Sequence, residues 1–167
     1  MDFVPGQLLI YRLKENPRLL KAELTQWLLM LCSQLEQYQK SNRGQCYKYL
    51  NPYSVMAAKN GQLLLLDLAA ASNDFVFKNM QKRAMREHFV KPIVHIQENM
   101  KSAADLYAFG KTMQFILSYA KVEPQLTRMD IFRLNKVIDG CLDENAKKKY
   151  ESMSQARRDL AKLQNRS

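Results

Sequence analysis

Apolar residues recur at helical spacing in several stretches of the chain, and these stretches predict most of its secondary structure. The longest covers roughly 20–41, where glutamines alternate with an apolar stripe and Gly44 is a plausible stop. Ser102 begins a second helix that extends to about 120, with Asp105 as its capping-box partner. The two stripes consist of Leu24, Trp27, Leu28, Leu31, Leu35 and Tyr38, and of Leu106, Phe109, Met113, Ile116 and Leu117.

Between these helices the pattern changes to short apolar runs. Residues 53–58 and 62–68 flank Asn60–Gly61, a dipeptide typical of a tight hairpin turn. The run from Leu63 to Leu66 is too short for an independent helix, so it is interpreted as a buried strand. We predict one β-hairpin here, as the only well-formed strand pair of the chain.

The remaining segments complete a mainly α fold. We expect a helix over 74–87, an irregular segment over 88–100, and two further helices over roughly 127–142 and 151–164. The sequence contains no internal repeat and no linker rich in Pro, Gly or Ser. We therefore predict a single domain spanning residues 1–167.

The charge of the chain narrows the range of partners. Its 167 residues include 26 Lys and Arg against 16 Asp and Glu, which gives a net charge of +10. A basic excess favours acidic partners, such as a phosphoprotein, nucleic acid or anionic lipid. It is equally compatible with a solvated basic surface that keeps the protein soluble.

Cysteine and histidine spacing gives no reason to expect a metal or a disulfide framework. Cys32, Cys46 and Cys141 form no CxxC pair, and His88 and His95 have no ligand partners at useful spacing. Cys32 lies on an apolar helix face and is expected to be a core residue. With no apolar stretch of about 20 residues and no basic region at the N-terminus, we expect a cytoplasmic protein without a membrane span or secretory signal.

Six strings, in order, resemble the C-terminal lobe of the protein-kinase fold. They are "MDFVPGQLLIYRLKENPRL", "YKYLNP", "LLLLDLA", "VKPIV" and "SAADLYAFGKTMQFIL", with "CLDENAKKKYESMSQARRDL" near the end. In the family these places belong to the hinge and its short helix, the HRDLKP loop, the strand before DFG, the Ala-Pro-Glu motif and two later helices. The resemblance implies a kinase C-lobe-like helical bundle (α+β in the family's terms) that begins at the hinge, with the N-lobe absent.

The same resemblance implies that the catalytic loop is degenerate. Tyr49 occupies the place of the catalytic Asp, Asn51 that of the loop Lys, and Ser54 that of the metal-binding Asn. A phenol with an ordinary pKa of about 10 is a poor proton acceptor at neutral pH. Asp67, 18 residues after Tyr49, remains as a vestigial metal-ligand candidate, although a strand-terminal Asp also caps turns. We therefore expect no enzyme activity, no cofactor and no bound metal.

Two matches concern the scaffold rather than the chemistry. Ile93 and Lys149 stand where the family joins a Glu to an Arg, and losing both partners leaves no buried charge alone. Asp105 and Gly110 match a buried Asp and a Gly of the family. The resemblance implies that Asp105 contacts the backbone of the degenerate loop, although a helix-capping role explains it equally well.

Two surfaces are candidates for binding a partner. The face toward the missing N-lobe includes Phe3, Val4, Leu8, Leu9 and Tyr53, and an exposed apolar patch there would favour an interface or self-association. The second lies in "FKNMQKRAMREHFVKP", which also carries Arg83 and Lys91. On a helix, Lys78, Lys82 and Arg86 share one face, and this basic stripe could bind phosphates or an acidic helix. Such a stripe is also typical of the solvated side of an amphipathic helix.

These observations predict an inactive kinase-like domain that binds another protein, acidic or phosphorylated, as a scaffold or regulatory module. One alternative is a basic protein that binds nucleic acid or another anionic surface, using the same cations and exposed side chains of Tyr47, Tyr49 and Tyr53. No recognised nucleic-acid-binding module supports that alternative. Another is a kinase fragment that keeps residual nucleotide binding and needs an N-lobe.

Overall fold

The computed structural model describes residues 6–43, 47, 50–66, 103–142 and 149–164. Within these ranges the protein is mostly helical, as predicted. The helices are α1 (Leu9–Glu15), α2 (Lys21–Ser41), α3 (Ala103–Tyr119), α4 (Arg128–Leu142) and α5 (Met153–Gln164). The four predicted long helices that fall in these ranges are therefore confirmed. The predictions for Gly44, Ser102 and residues 74–100 concern positions outside the described residues.

The predicted hairpin is confirmed, but it is not the only strand pair. Strands β3 (Val55–Ala58) and β4 (Leu63–Leu65) are antiparallel and are joined through Gly61, whose φ of 89° suits glycine. Strand β1 (Gly6–Leu8) adds to β3, giving the order β1–β3–β4. Strand β2 (Arg18–Leu20) pairs in parallel with β5 (Lys121–Glu123). Strands of three residues are too short for their alternation to be recognised in a sequence.

Helix α2 runs through the centre of the core. Its stripe from Leu24 to Leu35 is buried, together with Cys32, and packs against α5, α3 and β4. Tyr38, which the stripe also included, lies at the exposed end of this face. In α3, Gly110 allows α4 to approach closely, because a Cβ there would lie 2.8 Å from the side chain of Leu142. No helix in the described ranges has the length and apolar character that a membrane crossing requires.

A glutamine of α2 binds the edge of β4 in place of another strand. The side-chain amide of Gln34 donates to the carbonyl of Leu63 at 2.5 Å and accepts from the backbone N–H of Leu65 at 2.8 Å. Edge strands carry unpaired backbone groups that must be satisfied by other means. Gln34 therefore joins the sheet to the central helix at the strand that leads toward Asp67.

Replacing Gln34 with methionine should lower the free energy of unfolding by about 1–3 kcal/mol, because two half-buried backbone groups lose their partner while side-chain volume is kept. Urea unfolding followed by circular dichroism measures the change. Gln26→Met, at an exposed position of the same helix, is the matched control. Equal stability of the two variants would show that β4 needs no support from Gln34.

An ion pair joins the start of α2 to the start of α4. The ammonium of Lys21 lies 2.7 Å from Asp130, whose carboxylate also accepts from the backbone N–H of Thr127 at 2.9 Å. Thr127 accepts in turn from the backbone N–H of Asp130, which completes a reciprocal cap. Burial opposes ionisation of Asp130, but the hydrogen bonds from Lys21 and Thr127 outweigh it and hold its pKa below 3.8.

This lowered pKa predicts a pH-dependent contribution to stability. Because the folded protein favours the ionised form of Asp130, the contribution is present above the ordinary pKa of 3.8 and is lost as the pH falls through the lower folded value. We expect Asp130→Asn to cost about 1 kcal/mol at pH 7 and progressively less below pH ~4. Urea unfolding of both proteins between pH 7 and pH 3 measures this difference. A difference that stays constant over that range would contradict the assignment.

Candidate functional site

Residues 50–54 form a loop that is held by its own polar side chains, among them Asn51 and Ser54 of the predicted degenerate site. The Oδ1 atom of Asn51 accepts from the backbone N–H of Tyr53 at 2.7 Å. The hydroxyl of Ser54 accepts from the backbone N–H of Asn51 and donates to its carbonyl, both at 3.0 Å. Asn51 and Ser54 are each 0% exposed. Through these contacts the two short polar side chains stabilise the turn.

Neighbouring elements fix both ends of loop 50–54. The carbonyl of Pro52 accepts from the backbone N–H of Ile10 in α1 at 3.2 Å, and the carbonyl of Ser54 accepts from Leu66 at 2.9 Å. Leu50 and Val55 are fully buried in the core on either side of the turn. The loop is therefore a packed part of the fold.

The predicted contact of Asp105 with the backbone of the "YKYLNP" segment is confirmed, at Tyr47. One carboxylate oxygen of Asp105 accepts from the backbone N–H of Tyr47 at 2.8 Å and from the side-chain amide of Gln39 at 2.9 Å. Asp105 is 0% exposed. A buried carboxylate needs such donors, since an unpaired charge in the core costs several kcal/mol. Asp105 thus joins α3, α2 and the start of the loop at one point.

Tyr47 is buried, which corrects its place among the exposed tyrosines of the nucleic-acid alternative. Its side chain is 4% exposed, and its hydroxyl donates to the carbonyl of Leu66 at 2.6 Å. Its ring packs edge-to-face on Tyr38, with centroids 5.2 Å apart. Tyr53 is half-buried and meets Tyr11 edge-to-face at 6.3 Å. Tyr47 therefore cannot stack on a nucleic-acid base.

Two of the apolar residues expected at the hinge face, Leu8 and Leu9, lie among the described residues. Leu9 is fully buried because it opens α1 and points into the core, and Leu8 is half-buried in β1. Of the predicted site residues, the structure brings Asn51, Tyr53 and Ser54 together in one turn. The others lie outside the described residues: Phe3, Val4, Tyr49, Asp67, Lys78, Lys82, Arg83 and Arg86.

Lys149, which the predicted resemblance places at the Arg of a kinase ion pair, binds the end of a helix. Its ammonium donates to the carbonyl of Cys141 at 3.0 Å, near the C-terminus of α4. A cation at this end of a helix is favoured by the free carbonyls and by the helix dipole. Ile93, its predicted counterpart in the alignment with the family, lies outside the described residues.

Gln34 and Gln39 contribute to this region, although sequence reasoning did not assign them roles. Both lie on α2 beside its apolar stripe, where an amide can face the core or the solvent without changing the hydrophobic pattern. The signal available was the excess of glutamines along one helix. Their contacts depend on the distance to β4 and α3, which helical spacing does not encode.

Burial makes the described cysteines poor nucleophiles. Cys32 and Cys141 are buried free thiols; burial raises the pKa of Cys32 well above 9.0 and that of Cys141 to about 12. Among the described residues, no three His, Cys, Asp or Glu side chains are grouped closely enough to hold a metal ion.

Comparison of the whole sequence with protein-family models and with curated proteins finds no match.

Proposed function

We propose that this protein is a catalytically inactive domain, similar to a kinase C-lobe, that binds another protein as a scaffold or regulatory module. The observation that carries the proposal is the use of Asn51 and Ser54. These are the positions of a phosphate-facing Lys and a metal-binding Asn in the kinase alignment, and both side chains are buried in hydrogen bonds to loop 50–54.

The contact between Asp105 and Tyr47 supports the likeness to a kinase C-lobe. The two residues are 58 positions apart in the sequence, and the resemblance implies a contact between the segments that contain them. The short helix α1, the hairpin β3–β4 and the three later helices follow in the order that the resemblance implies.

The partner that we propose is acidic or phosphorylated and meets the protein in the cytoplasm. The net charge of +10 favours such a partner through long-range attraction. The proposed contact residues are Phe3, Tyr53, Lys78, Lys82, Arg83 and Arg86. Self-association through the face that would meet an N-lobe belongs to the same proposal.

A thermal-shift series with Mg·ATP tests the inactive-site part of the proposal. We expect no saturable rise in melting temperature, because loop 50–54 offers neither a cation nor a free metal ligand at positions 51 and 54. A saturable rise would overturn this part and favour residual nucleotide binding. Mg·ADP and Mg²⁺ alone serve as comparison series, so that a general salt effect is recognised.

Charge reversal tests the partner surface. The Lys82→Glu/Arg86→Glu variant should reduce the recovery of a pulled-down acidic or phosphorylated partner by about tenfold, since two attractive contacts become repulsive. Lys40→Glu/Lys59→Glu makes the same change in net charge at exposed positions and is the control. Binding that is indifferent to the first variant would show that the stripe is only solvated surface. A steep salt dependence with generic DNA or RNA would favour the nucleic-acid alternative.

A further inference from the structure

The outward face of α4 carries large apolar side chains where a solvated helix normally carries polar ones. Met129 is 54% exposed and Phe132 is 56% exposed, and the two lie three residues apart on one face. Ile131, on the flank of this face, is 47% exposed. Single exposed apolar residues are ordinary, whereas adjacent ones on a helix indicate a contact surface. We name Met129, Phe132, Arg133 and Lys136 the α4 surface.

The core-facing side of α4 fixes the position of the α4 surface. The opposite side of the helix places Leu134, Val137 and Cys141 in the core, and Asp130 joins its first turn to Lys21. The ammonium of Lys136 lies 5.2 Å from the centroid of the Phe132 ring, which restricts the ring on its outer side. A rigid surface loses little entropy on binding, so its apolar side chains can act as anchors.

The charges around the apolar pair Met129 and Phe132 favour an acidic partner. Arg128, Arg133 and Lys136 surround the apolar pair, and Asp139 is the one acidic side chain on the outward positions of the described α4. Asp130 is turned inward and paired with Lys21. Three cations against one carboxylate, in a chain of net charge +10, complement an acidic surface. A second copy of the chain would instead bring these cations against their own equivalents.

We infer that the α4 surface is a docking site for an acidic amphipathic helix of a partner protein. The apolar stripe of that helix covers Met129 and Phe132, and its carboxylates pair with Arg128, Arg133 and Lys136. The inference goes beyond the proposed function because it assigns a surface that shares no residue with loop 50–54 or with the basic stripe of residues 78–86. It would stand even if the protein bound nucleotide.

The test measures fluorescence anisotropy of a labelled synthetic helical peptide added to the full chain. The peptide has Leu on one face, at i, i+3, i+4 and i+7, and Glu on the others; a second peptide replaces every Glu with Lys. We expect saturable binding of the acidic peptide alone. Met129→Ala/Phe132→Ala and Lys136→Glu should each weaken it by about tenfold, through loss of the anchors and of charge complementarity respectively.

Lys59→Glu is the matched control for charge, since it makes the same change at an exposed turn residue and should leave binding intact. Failure of the acidic peptide to bind, or equal binding by all variants, overturns the inference. A different result would show a membrane contact instead: the protein binds phosphatidylserine vesicles but not the peptide, and the same variants lose vesicle binding. Dimers in sedimentation velocity that dissociate in Met129→Ala/Phe132→Ala would show that a second copy occupies the surface.

Discussion

Replacing Asp105 with alanine is expected to lower the free energy of unfolding by about 3–5 kcal/mol, enough to unfold a marginally stable domain. Asp105 is fully buried and accepts from the backbone N–H of Tyr47 and the amide of Gln39. Alanine leaves the buried N–H of Tyr47 and the half-buried amide of Gln39 without this acceptor. Each such group carries a desolvation cost of about 1–3 kcal/mol, and the missing side-chain atoms leave a void.

Urea unfolding followed by tryptophan fluorescence reports this loss, because Trp27 is buried in α2. Asp105→Asn keeps the volume and one acceptor oxygen and should lose less stability than Asp105→Ala. Asp139→Ala removes the same group from an exposed position of α4 and should change stability by less than about 0.5 kcal/mol. If Asp105→Ala and Asp139→Ala proved equally stable, Asp105 would have no structural role.

The long helices could be predicted because their pattern repeats over several turns. In α2, the stripe from Leu24 to Leu35 covers three turns, so an error at one position changes little. Strands β1, β2 and β5 have three residues each, and a period of two cannot be recognised in so few positions. Their pairing depends on contacts between distant segments, which local patterns do not contain.

The sequence predicted one backbone contact of the site but not the direction in which its side chains point. The position of Asp105 against the loop backbone followed from the order of the matched strings, and that contact is present. The inward orientation of Tyr47 could not be predicted, because a short loop has no hydrophobic periodicity that distinguishes a core-facing tyrosine from a solvent-facing one. Asn51 and Ser54 were recognised as departures from a catalytic loop. Their hydrogen bonds within the turn could not be predicted, because these bonds depend on backbone geometry.

Replacing Asn51 with lysine, the residue that the proposed resemblance to kinases places there, should destabilise the protein rather than activate it. Asn51→Lys removes the acceptor of the Tyr53 backbone N–H and places a longer, charged side chain where Asn51 is fully buried. We expect a loss of about 2–4 kcal/mol, because the ammonium must either lose its hydration or distort loop 50–54 to reach solvent. Urea unfolding measures this loss, and Asn51→Ala separates the missing hydrogen bond from the added charge.

The same variant distinguishes a closed structural turn from an accessible site. Asn135→Lys, at an exposed position of α4, is the matched control and should be nearly neutral. If Asn51→Lys were as stable as Asn51→Ala and also gained a saturable thermal shift with Mg·ATP, position 51 would have room for a cation facing phosphate. The burial of Asn51 would then not prevent nucleotide binding, and the proposal of an inactive binding module would lose its main support. If instead the variant is destabilised and indifferent to Mg·ATP, Asn51 is required for the folded turn, and a lysine at this position does not create a nucleotide site.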